Sequence, residues 1–202
     1  MEVELRRIAY NPRLDENSFA ANLFVNGDKV ATVNRKNGII QYYPLNEDTA
    51  QVVTQAEEHF KKLPGEKKVI DGKEQLTKQN LSNYIEGLFA EHLANIERKK
   101  FDKKVELLAK RNVVIGEPGI YWRTHAMNGA VDVLNKGAGR DLLVETLAKK
   151  ILPNMRENEI ILNKNIPVEI LKEAGLSEQQ YGIETASKKE QKAEKINRGL
   201  KP

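Results

Sequence analysis

Tyr121, Arg123 and His125 fall at i, i+2 and i+4 of the run IYWRTHA, so on a strand all three project from one face. A phenol, a guanidinium and an imidazole side by side could hold an anion or a base, or donate protons. No acid or nucleophile is tied to them by spacing, and the competing reading is an ordinary sheet face with cross-strand pairs. His59 and His92 each follow a glutamate on a helical pattern (EEHF, AEHL). Neither has a further ligand type at i+3 or i+4, and HExxH is absent. His92 lies in an apolar stripe, which favours a hydrogen-bonded core residue. GAGR at 137–140 precedes a helical pattern, where backbone amides could hold an anion. It completes neither GxxxxGK[ST] nor GxGxxG, so a flexible connector is the expectation. The chain has no cysteine, which excludes disulfides, thiolate nucleophiles and cysteine-bound metal. No cofactor, no metal and no catalytic residue is expected.

The charge is unevenly spread. Residues 97–111 (ERKKFDKKVELLAKR) and residues 188–202 each carry a net +4, against +4 for the whole chain, so the remainder is mildly acidic at −4. Such basic segments can hold phosphates or an acidic partner; the plainer reading is a solvated helix face. Arg98, Lys99, Lys100, Lys103 and Lys104 head the candidate partner-binding residues. At ~100° per residue the cations of 97–111 spread around more than half of a helix. A helix dedicated to reading DNA would carry a cleaner face.

The elements that must position these groups read as follows. Residues 2–10 alternate, with Val3, Leu5 and Ala9 against Glu2, Glu4 and Arg6. Residues 11–18 (NPRLDENS) are loop chemistry. Phe19, Ala21, Leu23 and Val25 share a face, Asn26-Gly27 reverses the chain, and Val30 with Thr32 resumes the alternation. A second pair, Asn37-Gly38, leads into a strand at Ile39–Tyr43. Asn-Gly between alternating hydrophobics is the strongest short hairpin signal, because both turn positions want positive φ. The sum is a four-stranded antiparallel meander. Asn46 with Glu47 and Asp48 starts a helix carried by Ala50, Val53, Ala56, Phe60 and Leu63 and stopped by Pro64-Gly65. Residues 64–75 look like a polar loop.

A long helix is expected from about Lys78 to Arg111. Leu81, Tyr84/Ile85, Leu88/Phe89, His92 and Ile96 form one stripe. Phe101, Val105 and Leu108 restart about 140° around from Ile96 at ~100° per residue. Either the helix breaks near ERKK at 97–100, or its second half packs against something different. NVVIG at 112–116 and IYWRTHA read as strands, NKGAGR as loop, Asp141–Leu152 as a helix ended by Pro153, and NEIILN as a short strand. Pro167–Ala174 is a helix followed by Gly175. Ser177 with Gln180, and Ser187 with Glu190, are candidate capping boxes in a polar tail.

The fold class is therefore α+β: an N-terminal four-stranded antiparallel meander packed by helices, a long central helix, a smaller hairpin-and-helix C-terminal part, and a charged tail. The expected divisions are 1–111, 112–176 and 177–202, with a shared core between the first two left open. A composition of 40% hydrophobic and 31% charged residues builds a core beneath a polar surface. No apolar run approaches the ~18 residues of a membrane helix, and MEVELRRIAY lacks the apolar core of a signal peptide. A cytoplasmic protein with no membrane partner is expected.

FAANLFVNGDKVATVNRKNG resembles the N-terminal hairpin of small proteins encoded on phage and prophage genomes. The residues that carry the likeness are Phe19, Ala21, Leu23, Phe24, Val25, Asn26, Gly27, Lys29, Val30, Asn37, Gly38 and Tyr42/Tyr43. NVVIG and EIILNKN resemble the C-terminal half of the same proteins. The similarity covers about a third of the chain, and its motifs are structural. It implies origin in a phage or mobile element acting in a bacterial cytoplasm, and no site residue comes with it. This chain departs from the pattern at Gly38-Ile39-Ile40, where the family has a Gly-Gly pair and polar residues. Some of Ile40, Tyr42 and Tyr43 should then stay exposed, which makes Tyr42 and Tyr43 candidate contact residues.

Three functions are compatible with the sequence. The first is a non-enzymatic protein that binds a bacterial host protein, such as a defence or regulatory factor. The second is a nucleic-acid-binding accessory protein using segments 97–111 and 188–202. The third is a small-ligand binder or enzyme at the Tyr121/Arg123/His125 face.

Overall fold

A computed structural model describes residues 1–13, 18–70 and 73–182, with the side chains of 66–70 and 73–75 outside the description. Residues 14–17 of the NPRLDENS loop, the Ser187/Glu190 box and the basic segment 188–202 lie outside the described residues. The fold is α+β, with the expected N-terminal sheet, a long helix and a second small sheet. The chain divides into two compact units, Met1–Asn95 and Ile96–Pro202, and the division falls inside the long helix.

The first unit opens with β1 (Val3–Tyr10), β2 (Phe19–Val25), β3 (Asp28–Lys36) and β4 (Ile39–Pro44), an antiparallel sheet in sequence order. Both Asn-Gly pairs do what their residue types demand. Asn26, Gly27, Asn37 and Gly38 all have positive φ (51°, 93°, 52° and 77°), and the flanking pairs Val25/Asp28 and Lys36/Ile39 close two-residue turns. Two bulges correct the simple alternation. In β1 an extra residue between Arg6 and Ala9, with Arg7 at φ 53°, shifts the phase. Val3 and Leu5 therefore face the core, followed by Ile8 and Tyr10 rather than Ala9, which is exposed. In β3 the extra residue is Val30, after which Ala31 and Val33, not Thr32, point inward.

Helix α1 (Glu47–Lys61) begins at a reciprocal cap: Asn46 Oδ1 accepts from the Thr49 N–H, and Thr49 Oγ1 accepts from the Asn46 N–H, both at 2.9 Å. Its Val53, Ala56 and Phe60 join Leu23, Ala31 and Val33 in the core. Residues 64–75 are not a plain loop, since β5 (Glu66–Ile70) and β6 (Lys73–Thr77) pair as an antiparallel hairpin.

Helix α2 (Leu81–Ala109) is unbroken, so of the two expectations for the long helix the second holds. Leu81, Ile85 and Phe89 belong to the first unit's core, where Phe89 stacks on Phe19 at 4.1 Å and meets Tyr10 edge-on at 5.4 Å. Phe101, Val105 and Ala109 belong to a cluster of the second unit. The stripe changes face because each half of the helix serves a different core. His92 is only partly buried and outside that core, contrary to the expectation.

The second unit is built on a three-stranded antiparallel sheet in the order β8 (Tyr121–Ala126), β7 (Asn112–Glu117), β9 (Ile160–Ile161). The run NVVIG lacks polar alternation because β7 is buried on both faces. Val113 and Ile115 join the cluster of Leu143, Leu147, Ile151 and Ile170, while Val114 joins the cluster of Phe101, Val105 and Leu162.

NKGAGR is not a connector. A short helix, α3 (Val131–Leu134), is followed at once by α4 (Gly137–Thr146), which continues through one wide turn at 147–151 and a tight one at 152–154 ending at Met155. A Cβ on Gly139 would lie 2.9 Å from Leu134 Cα, so this glycine is required by close packing rather than by flexibility. Arg140 reaches Glu173 with both terminal nitrogens. Helix α5 (Val168–Glu173) ends as expected, with Gly175 at φ 87°. Its N–H bonds Lys172 O at 3.0 Å, and the Leu176 N–H bonds Leu171 O at 3.1 Å. The Ser177/Gln180 box is formed around a single tight turn.

Candidate functional site

The second half of α2 presents two different sides. Phe101, Val105 and Ala109 turn inward on Val114 and Leu162. At 100° per residue, Lys99, Lys103 and Lys110 fall within ~40° of one another on the opposite side. All three are exposed and none forms a salt bridge among the described residues. Leu107, 65% exposed, sits beside this row. The remaining cations of the segment are held differently. Lys100 Nζ donates to Glu97 at 2.7 Å, and Lys104 Nζ stands 4.9 Å from the Trp122 ring centroid. Trp122 in turn meets Phe101 edge-on at 5.1 Å. Arg98 is exposed as well. Of the cations in this segment, Lys99, Lys103 and Lys110 thus form an outward row, while Lys100 and Lys104 are engaged by Glu97 and Trp122.

Next to the inward side lies a groove of about 320 Å³. Phe101, Val105, Ala109 and Leu162 supply its apolar floor. Asp102, Glu106 and Asp132 carry acid to its rim, and Lys110 and Lys164 carry base. Lys110 is common to the groove and to the cationic row, with Asp102 and Glu106 between the two. An apolar floor with a small number of charged rim groups suits a partner side chain or a small apolar group. The sequence marked this helix face through the restarted stripe but offered no sign of a groove, because Leu162 and Asp132 come from distant segments.

The Tyr121/Arg123/His125 face holds a polar cluster built on one buried carboxylate. Glu159 is completely enclosed (0% exposed) and accepts four hydrogen bonds. Arg123 Nε donates to Oε1 at 2.9 Å and Arg123 Nη2 to Oε2 at 2.7 Å, a bidentate pair. The Tyr121 hydroxyl donates to Oε1 at 3.1 Å and the Arg156 N–H to Oε2 at 2.8 Å. Arg123 Nη2 also reaches Asn154 O at 2.7 Å, tying the end of the α4 segment to β8. The Arg123 hydrogen bonds outweigh burial, and with help from Arg156 and Tyr121 they hold the Glu159 carboxyl down at about 2. The same bonds push Arg123 upward. Tyr121 and Arg123 therefore spend their polar groups on an internal carboxylate, which makes this cluster a lock between segments. His125 is half-buried opposite Val113 and outside that network. The acid that completes the cluster is 36 residues away in sequence, which is why spacing did not reveal it.

A second buried polar group went unmarked. Asn163 Oδ1 accepts from the Val114 N–H at 2.6 Å, and its Nδ2 donates to Asn112 O at 3.0 Å and to Asn165 Oδ1 at 3.0 Å. Asn165 Nδ2 donates to Asp132 Oδ1 at 2.9 Å on the groove rim. The side chain of Asn163 continues the β9 ladder where the short strand stops.

In the first unit, Tyr42 and Tyr43 point to opposite faces of β4. Tyr42 is half-buried, with its hydroxyl 2.9 Å from Ser82 Oγ. Burial raises this phenol above its ordinary value; the Ser82 bond opposes that and the Glu57 charge adds to it. Tyr43 is 50% exposed and its hydroxyl donates to Gln41 Oε1 at 2.8 Å. Ile39 is 62% exposed on the same outer face.

Among the described residues, no group of three or more His, Cys, Asp or Glu side chains is placed to hold a metal ion. Nor is any helix long and apolar enough to cross a membrane. No protein-family model matches the chain, no curated protein is detectably similar to it, and no solved structure matches its fold.

Proposed function

We propose that this chain is a non-enzymatic binding protein of phage or mobile-element origin. It acts in the bacterial cytoplasm and binds an acidic surface of a host protein, such as a defence or regulatory factor. The contact is the outward side of residues 98–110, the end of α2 and the turn that follows it. The observation that carries this reading is the sorted row of exposed lysines, Lys99, Lys103 and Lys110, with exposed Leu107 beside it and the apolar groove reached through Lys110. Rim charges of this kind steer encounter and fix register, while a central apolar contact supplies most of the affinity. The Arg123–Glu159 cluster favours the same reading, because its polar groups are used to hold the fold.

Affinity capture from bacterial lysate tests it. The triple variant Lys99→Glu/Lys103→Glu/Lys110→Glu should lose a stoichiometric partner that the parent chain and the single variant Lys100→Glu both retain. Capture unaffected by the triple reversal removes this surface. Retention of duplex or single-stranded nucleic acid instead, with affinity falling steeply between 50 and 200 mM salt, would move the function to backbone binding.

A further inference from the structure

The two edges of the first unit's sheet are built differently. β1 carries Glu4, with Glu2 just before it, and Arg6 and Arg7 about its bulge, where Arg7 takes a positive φ. Charge and a bulge are the usual means by which a protein keeps an edge from pairing with another strand. β4 has neither. Its sequence from Ile39 to Pro44, IIQYYP, holds no charged residue, and its register against β3 runs without a shift. Among the described residues β4 pairs with β3 alone. In a two-residue hairpin the pair next to the turn is hydrogen-bonded, so Ile39, Gln41 and Tyr43 bond inward to β3. The N–H and C=O groups of Ile40 and Tyr42 therefore point away from the sheet, and among the described residues they have no partner.

We propose that β4 pairs with β4 of a second copy of this chain, antiparallel about a two-fold axis at Gln41. The strand is self-complementary in that register. Ile40 of each copy lies opposite Tyr42 of the other, and the outward groups of both residues join in four hydrogen bonds. On the outer face Ile39 meets Tyr43 of the other copy, and the two Gln41 side chains meet on the axis as a close, non-hydrogen-bonded pair. The Asn37-Gly38 turn bounds the strand at one end. Pro44, which has no N–H to offer, bounds it at the other. A register centred one residue either way keeps only two bonds among these groups and sets the remainder against Gly38 of the turn or against Pro44, which can accept but not donate. An interface of this kind is isologous and joins two four-stranded sheets into one of eight strands. One six-residue strand buries little area, so the association falls in the micromolar range, within reach of the concentrations below. It is independent of the lysine row on α2.

The experiment is sedimentation velocity of the full chain from about 1 to 500 µM. The parent chain should show a concentration-dependent monomer–dimer equilibrium. Gln41→Lys and Gln41→Glu each place like charges together on the axis and should weaken self-association about tenfold or more. An equimolar mixture of the two should restore it as a heterodimer. Gln41 is exposed, so the monomer's thermal transition should be unchanged. The parent has no cysteine, which makes Gln41→Cys a clean second probe. Cα atoms ~4.5 Å apart in a non-hydrogen-bonded pair suit a disulfide. Under oxidation it should cross-link, while Thr54→Cys on α1 should not. A parent monomeric at 500 µM overturns the proposal. So does a dimer that is indifferent to charge at position 41, or one that the mixture fails to restore.

Discussion

Glu159→Gln removes the one fully enclosed charge among the described residues of the second unit while keeping its shape. A carboxyl held at about 2 against an ordinary 4.5 corresponds to about 3 kcal/mol of stabilisation at neutral pH. Arg123 is 40% exposed, and solvent screening on that side brings the expected loss to roughly 2–3 kcal/mol. The folded value is the lower one, so this stability is fully present above about pH 4.5 and is lost as the pH falls towards 2. Urea unfolding followed by fluorescence is the assay, because the chain's sole tryptophan, Trp122, packs inside this unit. At pH 7 the parent should exceed Glu159→Gln by the stated amount, and by pH 2.5 the difference should have shrunk to about a quarter of that, vanishing only below the folded value. Carboxylates common to both proteins cancel in the difference. Arg123→Met sharpens the test: it strands a buried carboxylate and should cost about 3–5 kcal/mol, more than the double variant Arg123→Met/Glu159→Met. Parallel parent and Glu159→Gln curves between pH 5 and 2.5 would refute the reasoning, as would a double variant costing the sum of its singles.

Three further outcomes follow from single substitutions. A Cβ on Gly116 would run into the Tyr121 carbonyl and come within 2.8 Å of Trp122 Cα, so Gly116→Ala should destabilise the second unit by ~1–3 kcal/mol. Gly87→Ala in α2 meets open space and should stabilise by ~0.5–1 kcal/mol; denaturant midpoints of the two read oppositely if the packing is right. Asn163→Leu leaves the Val114 N–H buried without an acceptor and should cost ~1–3 kcal/mol, with faster hydrogen exchange at Val114 as the local readout.

The sequence disclosed what is local and withheld what is not. Both Asn-Gly turns were legible because positive φ at two successive residues is a demand that few residue types meet. The start of α1 and the end of α5 were legible for the same reason, since each is a short-range cap. The bulges in β1 and β3 were not, because an extra residue in a ladder is decided by the neighbouring strand. The β5–β6 hairpin did have a signal, Asp71-Gly72 between two short runs, but the lysines and glutamates around it suggested a loop. GAGR reads as a connector because glycine ordinarily brings freedom, whereas Gly139 lets a helix approach Leu134. Of the candidate site, the cationic row was half visible: the sequence supplied the charges and the shifted stripe, and the fold sorted which lysines face out. Glu159 and Asn163 act on partners 36 and 49 residues away, and no spacing rule reaches that far.

The central position of β7 has a dynamic consequence. Its backbone is bonded on both edges, by β8 and β9, and its side chains are covered on both faces. Small openings at a rim strand or a terminal turn leave such a strand untouched. Its amides are released only when both layers part together, so the slowest motion of the second unit is its complete unfolding, and the strand behaves as the unit's clock.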